Sequence, residues 1–181
     1  MATAGALIRE YFGPLRRLPC WHVTAEYGSW LSLRFGRPRL DVREGNPKAK
    51  SERLRRRNVF VEGDFLLWVE MGAWDLLENG KRSFHSEQPR SYLRRAAASL
   101  ESQKIVGVEL DANPTSTVLT FDFGSSLHIR PTDDAEPDEA LWHLYSRKRC
   151  LTLLANGNLE HGLSANRKPR RATATALTYA A

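Results

Sequence analysis

An α+β domain dominated by antiparallel strands is the fold class this sequence predicts, and three observations carry it. Short stretches such as Leu31-Ser32-Leu33-Arg34-Phe35 and Val118 to Phe123 alternate apolar and polar residues, the pattern of a half-buried strand. Asn79-Gly80 supplies the two positive-φ positions of a tight hairpin turn. Residues 86–103 are the best helical stretch, with Tyr92, Leu93, Ala96, Ala97 and Leu100 on one stripe.

The elements follow in order. Ala6 to Arg17 reads as a short helix, with Leu7, Ile8, Tyr11 and Phe12 at helical spacing and Gly13-Pro14 as its stop. Leu31, Leu33 and Phe35 form one strand face, Gly36 and Pro38 a turn, and Leu40 and Val42 resume the alternation. Residues 43–58 are polar and basic, and read as an exposed loop or a short solvated helix. Val59-Phe60-Val61 and Phe65 to Val69 flank Glu62-Gly63-Asp64 as a hairpin. Trp74 to Leu77 is a further apolar run before Asn79.

The helix begins with Ser86 as N-cap and Pro89 in its first turn. Beyond it lie Ile105 to Leu110, Val118 to Phe123, a Gly124-Ser125-Ser126 turn, and Leu127 with Ile129. An acidic loop occupies residues 131–139. Leu141 to Tyr145 and Cys150 to Leu154 make the last main strand pair, closed by Asn156-Gly157.

The halves share an order of features. Leu31-x-Leu33-x-Phe35-Gly36 parallels Leu119-x-Phe121-x-Phe123-Gly124, and Leu40 with Val42 parallels Leu127 with Ile129. Leu67-Trp68 parallels Leu141-Trp142, and both halves close on Leu-Leu-x-Asn-Gly. The expected organisation is one domain over residues 1–162, made of two similar β units at about 18–85 and 104–162 joined by helix 86–103. Residues 163–181 carry four basic residues, no acid and no apolar periodicity, and read as a disordered tail. Of the net charge of +6, that tail holds +4 and leaves +2 on residues 1–162. The folded part is therefore close to neutral.

No stretch is long and apolar enough to span a bilayer, and Arg9 and Glu10 interrupt the apolar start before a secretory h-region could form. Cys20 and Cys150 allow at most one disulfide and read as reduced thiols of a cytoplasmic protein. Gly80-Lys81 lacks the surroundings of a phosphate loop, and no Gly-x-Ser-x-Gly elbow occurs. Cys20-x-His22 has no second ligand pair at zinc spacing, and the acidic loop lacks the order of an EF-hand. No metal site or cofactor is expected. Asp122, His128 and His143 are the nearest approach to an acid–base group, and they carry a small-hydrolase alternative.

The run from Leu119 to Ile129, the acidic loop, Leu141-Trp142-His143-Leu144-Tyr145 and the closing Leu153 to Gly157 resemble a loose group of small uncharacterised bacterial proteins. Some of that group are suspected immunity proteins or accessories to toxins, so the resemblance implies a protein partner. The arginine run and basic tail depart from it, because masking a cationic toxin favours an acidic protein.

Scaffold signals outweigh chemical ones, so the expected function is a non-enzymatic protein-binding module. Its expected contact surface is Asp133, Asp134, Glu136, Asp138 and Glu139, with Trp142 and Tyr145 beside them, since clustered carboxylates steer cationic partners. The alternative is nucleic-acid association through Arg53, Arg55, Arg56 and Arg57 together with the tail.

Overall fold

A local hydrogen bond opens the described chain. Thr3 caps the first helix, its Oγ1 accepting the Ala6 N–H at 3.3 Å. The structure is a computed structural model and describes residues 3–25, 28, 30–111 and 115–164. Helix α1 (Ala4–Phe12) buries Leu7, Ile8, Tyr11 and Phe12, and a 3-10 turn over Gly13–Leu15 ends it at Pro14. The expected tail from 165 onward lies outside the described residues. Among the described residues no helix is long and apolar enough to cross a membrane.

The next elements are β1 (Cys20–Ala25), β2 (Leu31–Phe35), β3 (Arg39–Arg43), α2 (Glu52–Arg55), β4 (Asn58–Glu62), β5 (Phe65–Val69), β6 (Ala73–Glu78) and β7 (Lys81–His85). Then come α3 (Arg90–Leu100), β8 (Ile105–Leu110), β9 (Thr117–Phe121), β10 (Ser125–Arg130), β11 (Ala140–Ser146), β12 (Arg149–Leu154) and β13 (Leu159–Leu163). They form a six-stranded sheet in the order β1-β2-β5-β11-β12-β13 and a five-stranded sheet in the order β7-β6-β10-β9-β8. Strands β3 and β4 stand apart as a two-stranded ribbon. Every strand pair is antiparallel.

Alternation places one face of each strand inward. Leu31, Leu33 and Phe35 of β2, Leu67 and Val69 of β5, and Trp142 and Leu144 of β11 are buried, as are Leu119, Phe121, Leu127 and Ile129 of the other sheet. These residues, α1 and α3 share one core. Trp142 ties its parts together. Its indole Nε1 donates to Thr117 Oγ1 at 2.9 Å, and Phe12 meets its ring edge-on at 5.6 Å.

Three expectations change. The helix spans Arg90–Leu100 rather than 86–103, with Pro89 at its N-cap position. Ser86 caps nothing, because its buried Oγ accepts the Trp74 N–H at 3.3 Å. Strands β4 and β5 are consecutive yet do not form a hairpin: β4 pairs with β3, and β5 pairs with β2 and β11. A last strand, β13, continues the sheet past Asn156-Gly157 to Leu163, which removes Leu163 from the expected tail.

The two halves expected from the sequence pattern do not divide between the sheets. Residues 18–85 and 104–162 each contribute strands to both, so Leu31–Phe35 lies in the six-stranded sheet and its counterpart Leu119–Phe121 in the five-stranded one. Leu40 and Val42 are exposed where Leu127 and Ile129 are buried.

Candidate protein-binding surface

The chain leaves the six-stranded sheet after Phe35 and returns at Phe65, and the segment between is an arm. Two glycines make this exit. Gly36 has φ +81°, and a Cβ on Gly63 would lie 2.5 Å from the Phe35 carbonyl oxygen. Asp64 pins the base. Its Oδ2 accepts the Arg37 N–H at 2.9 Å, and its Oδ1 accepts from the Arg147 guanidinium at 2.7 Å. The Arg37 N–H, and then Arg147, hold the Asp64 carboxyl below the usual range.

Within the arm, β3 and β4 pair in the register Arg39↔Glu62, Leu40↔Val61, Asp41↔Phe60, Val42↔Val59 and Arg43↔Asn58. Directly opposed residues share a face. One face is therefore wholly apolar: Leu40, Val42, Val59 and Val61, which are 68%, 51%, 55% and 41% exposed. The other face is polar, with the Arg43 guanidinium 4.7 Å from the Phe60 ring centroid and its Nε 2.8 Å from Asp41 Oδ2. At the tip, Asn46 N–H donates to the Leu54 carbonyl at 2.8 Å, Arg57 Nε reaches both Glu44 oxygens at 2.8 and 3.0 Å, and Arg56 pairs with Glu52.

The arm also concentrates charge. Residues 37–62 hold nine basic and four acidic side chains, a net of +5. With +4 in the tail and +6 overall, the remaining residues carry −3. The folded part is thus not evenly near-neutral; it is an acidic body bearing a basic arm. Arg39, Lys48, Lys50, Arg53 and Arg55 make no ion pair among the described residues.

The acidic loop lies at the opposite end of the six-stranded sheet. Phe35, Phe65 and Ser146 mark the arm's end of that sheet, whereas Leu31, Val69 and Trp142 mark the end beside Ala140 and the loop. Asp133, Asp134, Glu136 and Asp138 are exposed and Glu139 is half-buried. The loop is held by its backbone, with Ala155 N–H donating to the Glu139 carbonyl at 2.8 Å and Asn156 N–H to the Pro137 carbonyl at 3.1 Å. Trp142 presents no surface, because it is fully buried in the core. Tyr145 lies on the outer face of β11, opposite Leu66, toward the arm's end of the sheet.

Asp122, His128 and His143 do not converge. Asp122 Oδ1 accepts the Lys104 N–H at 2.8 Å, and His128 Nε2 lies 3.1 Å from Ser126 Oγ on β10. His143 is on the other sheet, between Glu70 Oε2 at 2.7 Å and Thr152 Oγ1 at 2.8 Å, flanked by Trp68 and Tyr145. Sequence spacing had not singled out Glu70 or Thr152, since only strand pairing brings them to His143. The Thr152 hydroxyl belongs to a fully buried residue. The arrangement therefore satisfies buried polar groups.

Cys20 is buried, its Sγ 2.8 Å from the Leu100 carbonyl oxygen. Burial, and then the Glu101 carboxylate, push its thiol up to about 12. Among the described residues no three His, Cys, Asp or Glu side chains group to hold a metal ion. Comparison of the chain with protein-family models, with curated proteins and with solved structures gives no match, so the functional reading rests on these residues and their geometry.

Proposed function

We propose that this chain is a protein-binding module and that the β3–β4 arm is its contact surface. The observation that carries the reading is the row Leu40, Val42, Val59 and Val61, aligned on one face and about half exposed or more. A two-stranded ribbon is marginal in water by itself, and a contiguous apolar face gains by being covered. Covering the exposed halves of four such side chains is worth roughly 4 kcal/mol, about a thousandfold in affinity.

The arm is favoured over the acidic loop because the loop offers charge without apolar area. It is favoured as a protein contact over a nucleic-acid one for a similar reason. A nucleic acid would use the cations and leave the four aliphatic side chains wet, and the arm's aromatic ring, Phe60, already stacks on Arg43. Two copies meeting arm to arm would oppose +5 with +5. The partner is therefore an acidic protein. The resemblance to immunity and toxin-accessory proteins implies a protein partner, and the basic arm departs from the cationic partner that an immunity role implies.

The test compares nuclease-treated capture by the wild-type chain and by a variant with Leu40, Val42, Val59 and Val61 all changed to Ser. A protein held by the wild type and lost from the variant, with thermal stability unchanged, is the expected result. Capture that the substitutions leave unaltered, or that nuclease abolishes, overturns the reading.

A further inference from the structure

We infer that the arm binds its partner by strand addition, and that the segment it takes up is extended and alternates apolar with acidic residues. The inference rests on the arm being the contact surface and adds how contact is made. Strand β3 pairs with β4 alone, and β4 with β3 alone. Each strand therefore has one outer edge, and among the described residues no hydrogen bond from another backbone segment reaches it. An open edge is a template for a further strand.

The two faces of the ribbon then dictate the incoming sequence. Side chains of an added strand alternate between faces with period 2. Every second residue would extend the row of Leu40, Val42, Val59 and Val61 and should be aliphatic. The residues between would stand beside Arg39 and Arg43 and near the cationic tip that holds Arg53 and Arg55. There carboxylates are matched by charge, and lysines are rejected. The apolar requirement holds at either edge, but the charge requirement selects the β3 edge, because on that face β3 presents Arg39, Asp41 and Arg43 whereas β4 presents Asn58, Phe60 and Glu62.

The charge of the same ribbon opposes pairing of one free arm with another. Two arms aligned edge to edge would bring Arg39 and Arg43 of each copy together, and the net +5 on each opposes that approach. An acidic strand removes this opposition and covers the apolar face in one step.

The experiment uses the full chain and a fluorescein-labelled, capped heptapeptide, Glu-Val-Glu-Val-Glu-Val-Glu, followed by anisotropy at low salt. Two control peptides accompany it: one N-methylated at every residue, and one of the same composition with its valines in a block. The alternating peptide should bind roughly tenfold or more tightly than either control. It should also slow amide exchange at the outer edge of β3 and lose its advantage in a Val42→Lys, Val59→Lys variant of unchanged thermal stability. Equal binding of the three peptides, or none, overturns strand addition. So does tighter binding of a short DNA duplex that the lysine substitutions do not weaken. The two readings fail separately. Loss of captured protein in the serine variant without any peptide preference sinks strand addition alone, whereas capture indifferent to the arm sinks the contact surface itself.

Discussion

The backbone N–H of Arg37 lies 2.9 Å from Asp64 Oδ2. That bond joins the point where the chain leaves the six-stranded sheet to the point where it returns, and Arg147 holds the second oxygen of the same carboxylate. Asp64 is therefore the pin of the arm.

Asp64→Ala should loosen the arm while the core stays folded. The expected cost is about 1–2 kcal/mol, with faster proteolysis between residues 37 and 62 and little change in core amide exchange. The pH dependence has a defined sign. The folded carboxyl titrates below its ordinary value, so its stabilisation is present above about pH 4 and is lost as the pH falls through the lowered value. The Arg37 amide resonance, followed downward from neutral pH, reports this directly.

Trp142→Ala should destabilise the whole domain by about 3–5 kcal/mol, because it empties a fully buried site against Phe12. Thr117→Val should cost less, about 1–2 kcal/mol, by leaving the indole N–H without an acceptor. Chemical denaturation of both variants measures the difference. Equal stability of Trp142→Ala and wild type would contradict the placement of that ring.

Arg34 and Glu62 meet where the arm joins the sheet, Nε to Oε2 at 3.7 Å, beyond hydrogen-bond reach. Arg34 Nε and Nη1 are buried without a hydrogen-bond partner. Replacing the pair together, Arg34→Met with Glu62→Leu, should therefore be neutral or stabilising, whereas Arg34→Met alone strands the Glu62 carboxylate and should destabilise. Glu62→Gln should cost about 1–3 kcal/mol, less than for a fully buried pair because both side chains retain some solvent.

Cys20 should resist alkylation in the folded protein and react only at the rate of unfolding. Its raised value also lowers stability in alkali: the unfolded thiol ionises near its ordinary value while the folded one stays protonated up to about 12. Stability should fall over that interval in wild type, and less steeply in Cys20→Ala.

Much of this architecture was legible in the sequence because it is local. Alternation at Leu31, Leu33 and Phe35 marked a buried strand face, and Asn79 and Gly80 adopt φ of 51° and 77°, as their turn requires. What alternation cannot encode is the partner of a strand. Leu40 and Val42 have the same spacing as Leu127 and Ile129, yet β3 pairs with β4 outside the sheets and β10 lies between β6 and β9. Spacing alone therefore gives the arm as a turn, a resumed alternation at Leu40 and Val42, a polar loop, and a hairpin of Val59 to Val61 with Phe65 to Val69. It does not show that Leu40 and Val42 meet Val59 and Val61 on one face. The edge strand β13 was missed for a related reason, since Glu160, His161 and Gly162 interrupt any apolar signal. Ser86 has the residue type of a helix cap, but Trp74 on β6 occupies its hydroxyl.

The central claim is that the apolar face of the arm is a contact surface. The most direct measurement is nuclease-treated capture with the wild-type chain beside the variant carrying Ser at 40, 42, 59 and 61. The account predicts an acidic protein bound by the wild type and absent from the variant, at equal thermal stability of the two chains. The same protein bound equally by both would contradict it.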